Sequence, residues 1–338
     1  MEFQFLGTSA GTPTRARNVT GLALRAGARA WVLVDCGEGT QHRILRTPYS
    51  LMSLQAIFIT HIHGDHCYGL PGLLASAAML NRTAPLLVVG PPSVRRFVQA
   101  VRETTELALP YAIDFIDVEA GMEIDALPDL AVRATELSHR VPTFAYGFTE
   151  KQVERRLDID KLRRDGIPSG PGWGRLQAGE DIALPDGRPV RSADYIQQPR
   201  KPRKIIVAGD NDTPALLAAQ AADADVLVHE ATYTQAVLEK VGPAPMHSSA
   251  RMVAELAREI KLPNLVLTHF SPRYHALGEI EDEARAAYGG RLFLARDLEQ
   301  YTLDRHGELA RVPADAQKSP PPGEPAGQTS ARPVAACK

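Results

Sequence analysis

The segment that decides the fold is AIFITHIHGDH, residues 56–66, in which an apolar run ends in three histidines and an aspartate. A β-type run followed by polar residues is typical of a strand that delivers ligands into the loop at its carboxyl end. Neutral imidazole suits zinc and similar metals, and a carboxylate can complete such a set. The candidate ligands are therefore His61, His63, Asp65 and His66.

These four side chains are too many for one tetrahedral ion that must also keep a position open for water. In an extended chain His61 and His63 share a face, because they stand two residues apart. A turn at Gly64 can direct Asp65 and His66 to a different point. The segment therefore predicts two adjacent metals, held by one loop and completed by distant residues.

Length and composition set wider limits. The 338 residues, 44% of them apolar, support a sizeable core in one large domain or two. A net charge of −2 gives no global nucleic-acid signature. Cys36, Cys67 and Cys337 have no regular spacing, which argues against a disulfide framework and for a reducing compartment, the cytoplasm. We find no signal peptide at the N-terminus and no apolar run long enough to span a membrane.

Short strands alternate with helices along most of the chain, which predicts a layered α/β domain. Several of the predicted strands end in a histidine or an acidic residue, so these side chains can converge although they lie far apart in the sequence. Besides the segment 61–66, the residues at strand ends are His139, Asp210, His229, Glu230 and His269, and His247 stands at a helix start.

The segment from 150 to 204 has a different composition. It holds 13 Lys and Arg residues against 9 Asp and Glu, an excess of about four positive charges. Its Gly/Pro-rich part, residues 166–175, is expected to bury little and to project. The functional interpretation is an arm that grips a polyanion through phosphate contacts, and the alternative is a solvated insertion. Residues 313–338 contain six prolines and little apolar pattern, which predicts a disordered tail.

Together these motifs resemble the ribonuclease Z family in its short form, over roughly residues 1–305. The segments that carry the resemblance are GTSAG (7–11), DCGEGTQ (35–41), THIHGDH (60–66), GIP (166–168), HEAT (229–232) and HSS (247–249). The resemblance implies an α/β fold, the four-layer αβ/βα metallo-β-lactamase sandwich. One catalytic domain would span 1–312, with a flexible tRNA-binding arm inserted at about 150–200, often in a homodimer.

The resemblance also implies the metal ligands. One zinc would be held by His61, His63 and His139, a second by Asp65, His66 and His269, and Asp210 would bridge the two; Mn²⁺ or Co²⁺ are possible substitutes. The family usually has Gly-Asp-Thr, whereas here Asn211 and Asp212 separate Asp210 from Thr213. We prefer Asp210, which directly follows a strand, with Asp212 as its rival.

The implied activity is zinc-dependent removal of the 3′ trailer from precursor tRNA, which leaves a 3′-hydroxyl on the tRNA and a 5′-phosphate on the trailer. Asp65 would act as general base, and His247, held by Glu230, would stabilise or protonate the leaving O3′. DNA is not an expected partner.

Two alternatives remain open. One is a general phosphodiesterase or other ester hydrolase of the metallo-β-lactamase fold that acts on small molecules, against which the arm argues. The other is an RNA-binding module with structural metals. Closed structural zinc sites favour cysteine, whereas this ligand set is rich in histidine and aspartate.

Overall fold

The computed structural model describes residues 1–27, 29–153, 155–197 and 200–313. Except for Pro313, the predicted tail lies outside the described residues. In chain order the strands are β1 (Glu2–Gly7), β2 (Gly21–Arg25), β3 (Trp31–Val34), β4 (Leu54–Phe58), β5 (Leu86–Gly90), β6 (Ile113–Asp117), β7 (Glu123–Ile124), β8 (Leu130–Leu137), β9 (Thr143–Glu150), β10 (Ile182–Ala183), β11 (Pro189–Val190), β12 (Lys204–Val207), β13 (Val226–Glu230), β14 (Asn264–Thr268), β15 (Arg291–Leu294), β16 (Gln300–Leu303) and β17 (Leu309–Arg311).

The helices are likewise given in chain order. They are α1 (Thr40–Ile44), α2 (Gly64–Cys67), α3 (Leu70–Met79), α4 (Pro92–Thr104), α5 (Ile159–Arg164), α6 (Pro171–Ala178), α7 (Ala218–Ala221), α8 (Gln235–Val241), α9 (Ala250–Glu259) and α10 (Gly278–Ala287). Short 3₁₀ turns cover Leu51–Ser53, Ser192–Asp194 and Pro214–Leu217. No helix within the described ranges is long and apolar enough to cross a membrane.

Two mixed sheets form the body. The first has the strand order β17-β16-β1-β2-β3-β4-β5-β6, and the second has the order β15-β14-β13-β12-β9-β8-β7. The alternation of side chains along each strand divides them between two cores. On β4, Ala56 and Phe58 face the second sheet, whereas Ile57 and the following Ile59 face the helices.

Helices cover the outer face of each sheet. Leu70, Leu73 and Leu74 of α3 pack in the cluster outside the first sheet. Val253 and Leu256 of α9 pack in the corresponding cluster outside the second sheet. The order of layers is therefore helix, sheet, sheet, helix, and the predicted α/β sandwich is confirmed.

This topology brings many strand ends to one edge. Strands β3 to β6 are parallel to each other, as are β12 to β15. Strand β8 shares the direction of β12, because β9 is antiparallel to both. At this edge the sheets are joined by hydrogen bonds from Phe144 N to Thr60 O (3.0 Å) and from Phe270 N to Thr8 O (2.9 Å). Loops that follow these strands therefore meet.

The segment between β9 and β12 forms a small unit, which we call the arm (residues 155–197). It contains α5, α6, β10 and β11, and its own core is built from Leu162, Ile167, Leu176 and Val190. Residues 166–175 bury little, as predicted, and Ile167, which is 3% exposed, is the member of this stretch that enters the core of the arm. Helix α5 begins at Ile159, because the Asp158 side chain caps it by accepting from Lys161 N.

Candidate metal centre

The candidate ligands come from both sheets and meet at the shared edge. His61 and His63 follow β4, and Asp65 and His66 lie on the single turn of α2. That helical turn redirects the second pair, as expected of Gly64. From the second sheet, His139 follows β8, Asp210 follows β12 and His269 follows β14. The structure brings all seven of these residues into one cluster.

The first group consists of three histidines. The Nδ1 atom of His63 lies 3.0 Å from Nε2 of His61 and 3.1 Å from Nε2 of His139. Oδ2 of Asp210 lies 3.6 Å from the His61 nitrogen and 3.7 Å from the His139 nitrogen. Four ligand atoms thus surround one small volume.

The second group contains Asp65, His66 and His269. Nε2 of His269 lies 3.3 Å from Nε2 of His66 and 3.3 Å from Oδ2 of Asp65. The other oxygen of Asp210, Oδ1, lies 3.4 Å from the His66 nitrogen and 3.3 Å from the His269 nitrogen. Each Asp210 oxygen therefore faces a different group.

These separations fit a tetrahedral ion. Bonds of about 2.0–2.1 Å to histidine and carboxylate give ligand–ligand edges of about 3.3 Å. The edges quoted above run from 3.0 to 3.7 Å. Two imidazole lone pairs that face one another at such distances repel unless a proton or a metal cation lies between them. The donor set therefore fits two adjacent metal ions.

In His66, His139 and His269 the ring nitrogen that points away from the cluster is held by another group. Nδ1 of His139 donates to the carbonyl of Met246 (2.9 Å), and Nδ1 of His66 donates to Oδ2 of Asp35 (2.7 Å). Nδ1 of His269 lies 3.0 Å from the Thr232 hydroxyl. Such partners fix the tautomer and ring orientation, so the Nε2 lone pairs point into the cluster.

The electrostatics of the two groups differ. Burial lowers the pKa of His61, His63 and His139, so these rings stay neutral, as metal ligands must. Burial acts in the same direction on His66, but Asp65, Asp210 and other carboxylates outweigh it and raise the pKa of that ring. The second group therefore presents negative potential to a cation.

A buried ion pair borders the cluster. Nδ1 of His247 donates to Oε1 of Glu230 at 2.9 Å and lies 3.8 Å from Oδ2 of Asp210. Glu230 also accepts from Asn211 N and from the hydroxyl of Thr232. Burial disfavours a charged His247, but the Glu230 carboxylate outweighs it and raises the pKa of His247 to about 9.

Two candidates from the sequence, Asp212 and His229, lie outside the cluster. Asp212, the rival of Asp210, bonds instead to the hydroxyl of Thr213 (2.7 Å). His229 is buried, with Nε2 at 3.2 Å from the Asn211 amide. Since neither side chain reaches the ligand atoms, the cluster is built around Asp210.

Three contacts of the cluster were not foreseen. Asp35 orients His66, Thr232 links Glu230 to His269, and Gly11 N donates to Oδ2 of Asp65 at 2.7 Å. All three residues stand in motifs that carried the resemblance, but their bonds cross between loops. The signal in the sequence for Asp35 was a carboxylate directly after a strand.

Backbone conformation marks the same place. Asp35 and His269 have φ values of 59° and 56°, in the left-handed region that residues with a Cβ seldom adopt. Such conformations persist where surrounding contacts hold them, often at functional sites.

Comparisons with known proteins agree with this geometry. A family model described as anti-Pycsar protein Apyc1 matches residues 1–108. A protein named ribonuclease Z from Marinobacter nauticus is 56% identical over 320 residues, which cover 92% of this chain and 99% of that protein. A protein of the same name from Pseudomonas putida is 50% identical, and the match covers 91% of this chain and 99% of that protein. A third ribonuclease Z, from Brevibacillus brevis, is 40% identical, and the match covers 91% of this chain and 99% of that protein.

Solved structures share the fold. Human tRNase Z, short form, superimposes with a TM-score of 0.65 at 24% identity, covering 90% of this chain and all of that one. The metallo-β-lactamase fold protein YhfI from Bacillus subtilis gives a TM-score of 0.63 at 16% identity. The match covers 88% of this chain and 98% of that one. The sandwich is thus a metallo-β-lactamase fold. Because two relatives are 56% and 50% identical over more than nine-tenths of both chains, this chain belongs to the ribonuclease Z family.

Proposed function

We propose that the protein is a zinc-dependent endoribonuclease that removes the 3′ trailer from precursor tRNA. The cut leaves a 3′-hydroxyl on the tRNA and a 5′-phosphate on the trailer. Membership of the ribonuclease Z family supports the endonuclease activity. The observation that carries the mechanism is the Asp210 carboxylate, whose two oxygens face two separate ligand groups.

Two metals per subunit are part of the proposal. His61, His63 and His139 would hold the first, Asp65, His66 and His269 would hold the second, and Asp210 would bridge them. Zinc suits these ligands, with Mn²⁺ or Co²⁺ as substitutes. When bound, such a pair stabilises charge on phosphate oxygens and makes water more acidic.

Asp65 is the proposed general base. Its Oδ2 is oriented by the Gly11 N–H, at 2.7 Å. Water attacks the phosphorus in line with the P–O3′ bond, and Asp65 accepts the proton that the water loses. The fixed carboxylate needs no rearrangement before that transfer.

His247 acts at the leaving group. Glu230 holds Nδ1 of His247, which leaves Nε2 to donate a proton to O3′ as the P–O3′ bond breaks. Glu230 is 1% exposed and is fixed by Asn211 and Thr232, so it can position the ring without touching substrate. Glu230 therefore acts on the leaving group only through His247.

The arm is the proposed contact for the body of the tRNA. Arg156, Arg163, Arg164 and Arg191 are exposed on it. Guanidinium groups bind phosphate oxygens, and a long substrate offers phosphates far from the cut. A small phosphodiester has no part that could reach the arm.

A homodimer and a cytoplasmic location complete the proposal. Leu45, Tyr68, Met79 and Leu80, on or beside α1 and α3, are 81%, 64%, 79% and 56% exposed. Contiguous patches of exposed apolar side chains mark protein interfaces, and these four residues are the proposed contact between the subunits. The buried Cys36 and Cys67 are free thiols, which favours a reducing compartment.

The decisive test is cleavage of an end-labelled precursor tRNA that carries a 3′ trailer. We expect one discrete cut, absent with Asp65→Ala and after chelation. An intact precursor together with active hydrolysis of a small phosphodiester would instead support the general hydrolase.

A further inference from the structure

The arm leaves the body and returns to it at a single point. Strand β9 ends at Glu150, and β12 begins at Lys204, which pairs with Thr149. Glu150 and Arg203 are also joined through the backbone, from Glu150 N to Arg203 O (3.1 Å). Whatever fixes the chain at this junction also limits the direction of the arm.

The carboxylate of Glu150 binds the charged side chains at this junction. Glu150 accepts from Nη1 and Nη2 of Arg200 at 2.7 and 3.2 Å. It also accepts from the backbone N and the Nε of Arg203, at 2.9 and 3.0 Å, and from its Nη2. Both oxygens of Glu150 are thus used by two arginines of the returning chain.

The two arginines have different anchors. Arg203 also donates from Nη1 to the carbonyl of Leu303 in β16, at 2.6 Å, so it is tied to the first sheet. Arg200 lies nearer the arm, and its side-chain bonds run to Glu150 and to the carbonyl of Lys201. Arg200 therefore connects the returning chain to a point that Arg203 already holds.

The junction is shielded from solvent. The side chains of Glu150, Arg203 and Arg200 are 6%, 16% and 24% exposed. In partly buried surroundings charge-assisted and bidentate bonds are directional, and losing one partner leaves the other unpaired. This geometry restrains the chain more than an exposed ion pair does.

We propose that Glu150 is a positioning residue that sets the direction of the arm relative to the metal centre through Arg200 and Arg203. A correctly directed arm contacts the tRNA body while the scissile phosphate lies in the metal cluster. Loss of the junction costs binding of the long substrate and leaves the chemical step intact. This inference rests on the proposed function of the arm.

The test compares Glu150→Gln and Arg200→Gln with Glu123→Gln. Glu123 belongs to the same sheet, but its ion pair with Arg133 is more than half exposed. We expect the two junction variants to raise KM for precursor tRNA roughly tenfold, with kcat within about twofold of wild type. Hydrolysis of a small phosphodiester and all constants of Glu123→Gln stay unchanged. An unchanged KM, or an equal loss on both substrates, overturns the inference.

Arg200→Gln guards against misfolding, because Glu150 then keeps its bonds to Arg203. A second measurement reads the arm directly. Spin labels at Gln99→Cys on α4 and Ser169→Cys on the arm, both exposed positions, are placed in a Cys337→Ser chain. We expect a broader distance distribution in Arg200→Gln. The wild-type distribution in that variant contradicts the role of the junction.

A third variant tests separately whether the arm binds RNA and whether Glu150 positions the arm. It changes the exposed Arg156, Arg163, Arg164 and Arg191 to Gln. If KM for precursor tRNA stays at the wild-type value, the arm does not bind RNA and the proposed function of the arm fails. If KM rises here but not in the junction variants, the arm binds RNA and only the positioning role of Glu150 fails.

Discussion

At the scale of single residues, Asp210 has the most demanding position in the molecule. Its carboxylate is buried among histidines, and each of its oxygens lies within 3.7 Å of a different ligand group. Burial alone would raise the pKa of Asp210, but His269, His66 and His61 hold it well below its usual range. The residue therefore stays an anion between two candidate metal positions.

A pair of substitutions separates Asp210 from its neighbour in the sequence. We expect Asp210→Asn to lower the metal content of the purified protein and to reduce cleavage by more than about 100-fold. Asp212→Asn should retain both, because Asp212 points to Thr213. Metal is measured by elemental mass spectrometry beside the cleavage assay. Equal metal content in the two variants would refute the bridging role.

Substitution of Asp35, which is not itself a candidate metal ligand, tests whether metal binding depends on the orientation of His66. It accepts from His66 Nδ1, from Thr60 N (2.7 Å) and from the Thr60 hydroxyl (2.9 Å). Asp35→Asn should weaken metal binding by about 10- to 100-fold, since His66 loses the group that fixes its tautomer. Competition with a chromogenic chelator measures the affinity. Asp114→Asn, at an exposed position, serves as control and should bind metal as wild type does.

Much of the metal cluster could be predicted from the sequence because its ligands directly follow apolar runs. His61 and His269 each stand at such a boundary, and His139 follows the alternating strand β8. The support around them could not be predicted in the same way. Bonds such as Gly11 N to Asp65 join segments 54 residues apart, and they exist only once both sheets are folded.

At the scale of elements, the arm is more structured than its composition suggested. Asp158 caps α5, and Pro171 lies in the first turn of α6. Leu162 and Leu176 are fully buried in a core that is separate from the cores of the body. The arm can therefore lose its structure while the sandwich keeps its own.

Leu162→Ala tests that independence. Removing a buried leucine side chain costs about 2–5 kcal/mol, which a core as small as this one cannot absorb. We expect hydrogen exchange to accelerate across 155–197 but not in β12 to β14, with weaker cleavage of precursor tRNA. Hydrolysis of a small phosphodiester should persist. Uniform loss of protection in both regions would show that the arm and the body unfold together.

Elements without an apolar pattern escaped prediction. Helix α8 has no fully buried residue, so no periodicity marks it. Strands β7, β10 and β11 contain two residues each, too few to show alternation. By contrast β4, β12 and β14, which carry the ligands, are nearly continuous apolar runs, and their positions followed from the sequence.

At the scale of the whole molecule, the junction that joins arm and body predicts a pH dependence. Burial opposes ionisation of Glu150, but bonds from Arg203 and Arg200 lower its pKa from 4.5 to about 2. A lowered pKa contributes stability above pH 4.5 that is lost as the pH falls towards 2. Solvent screening at the partly exposed arginines reduces what a shift of this size implies, and the contribution is roughly 1–3 kcal/mol.

Denaturant titrations between pH 6 and 2.5 measure this contribution. The free energy of unfolding should fall more steeply for wild type than for Glu150→Gln as the pH drops below 4.5. The two proteins should therefore become more alike in acid. Glu123→Gln, whose carboxylate is exposed, should follow wild type. Parallel curves for wild type and Glu150→Gln would contradict the lowered pKa.

Removal of the metal should also lower the thermal stability of the whole fold. The ligands belong to both sheets, so bound ions link the two halves of the sandwich. A metal present at 100 times its dissociation constant stabilises the folded state by about 2.7 kcal/mol. We expect chelation to lower Tm and added Zn²⁺ to restore it, with little response in Asp210→Asn. A Tm that is insensitive to chelation would contradict metal binding by the folded protein.

The distribution of the ligands along the chain has a consequence for synthesis on the ribosome. Residues 61–66 are made early, the arm follows, and His269 is translated last of the seven. During synthesis the N-terminal part of a chain leaves the ribosome first and can fold before the rest has been made. A growing polypeptide therefore presents its arm before β14 is in place, and it cannot complete the metal cluster until then. On the proposed function of the arm, each new molecule would bind RNA before it is able to cut it.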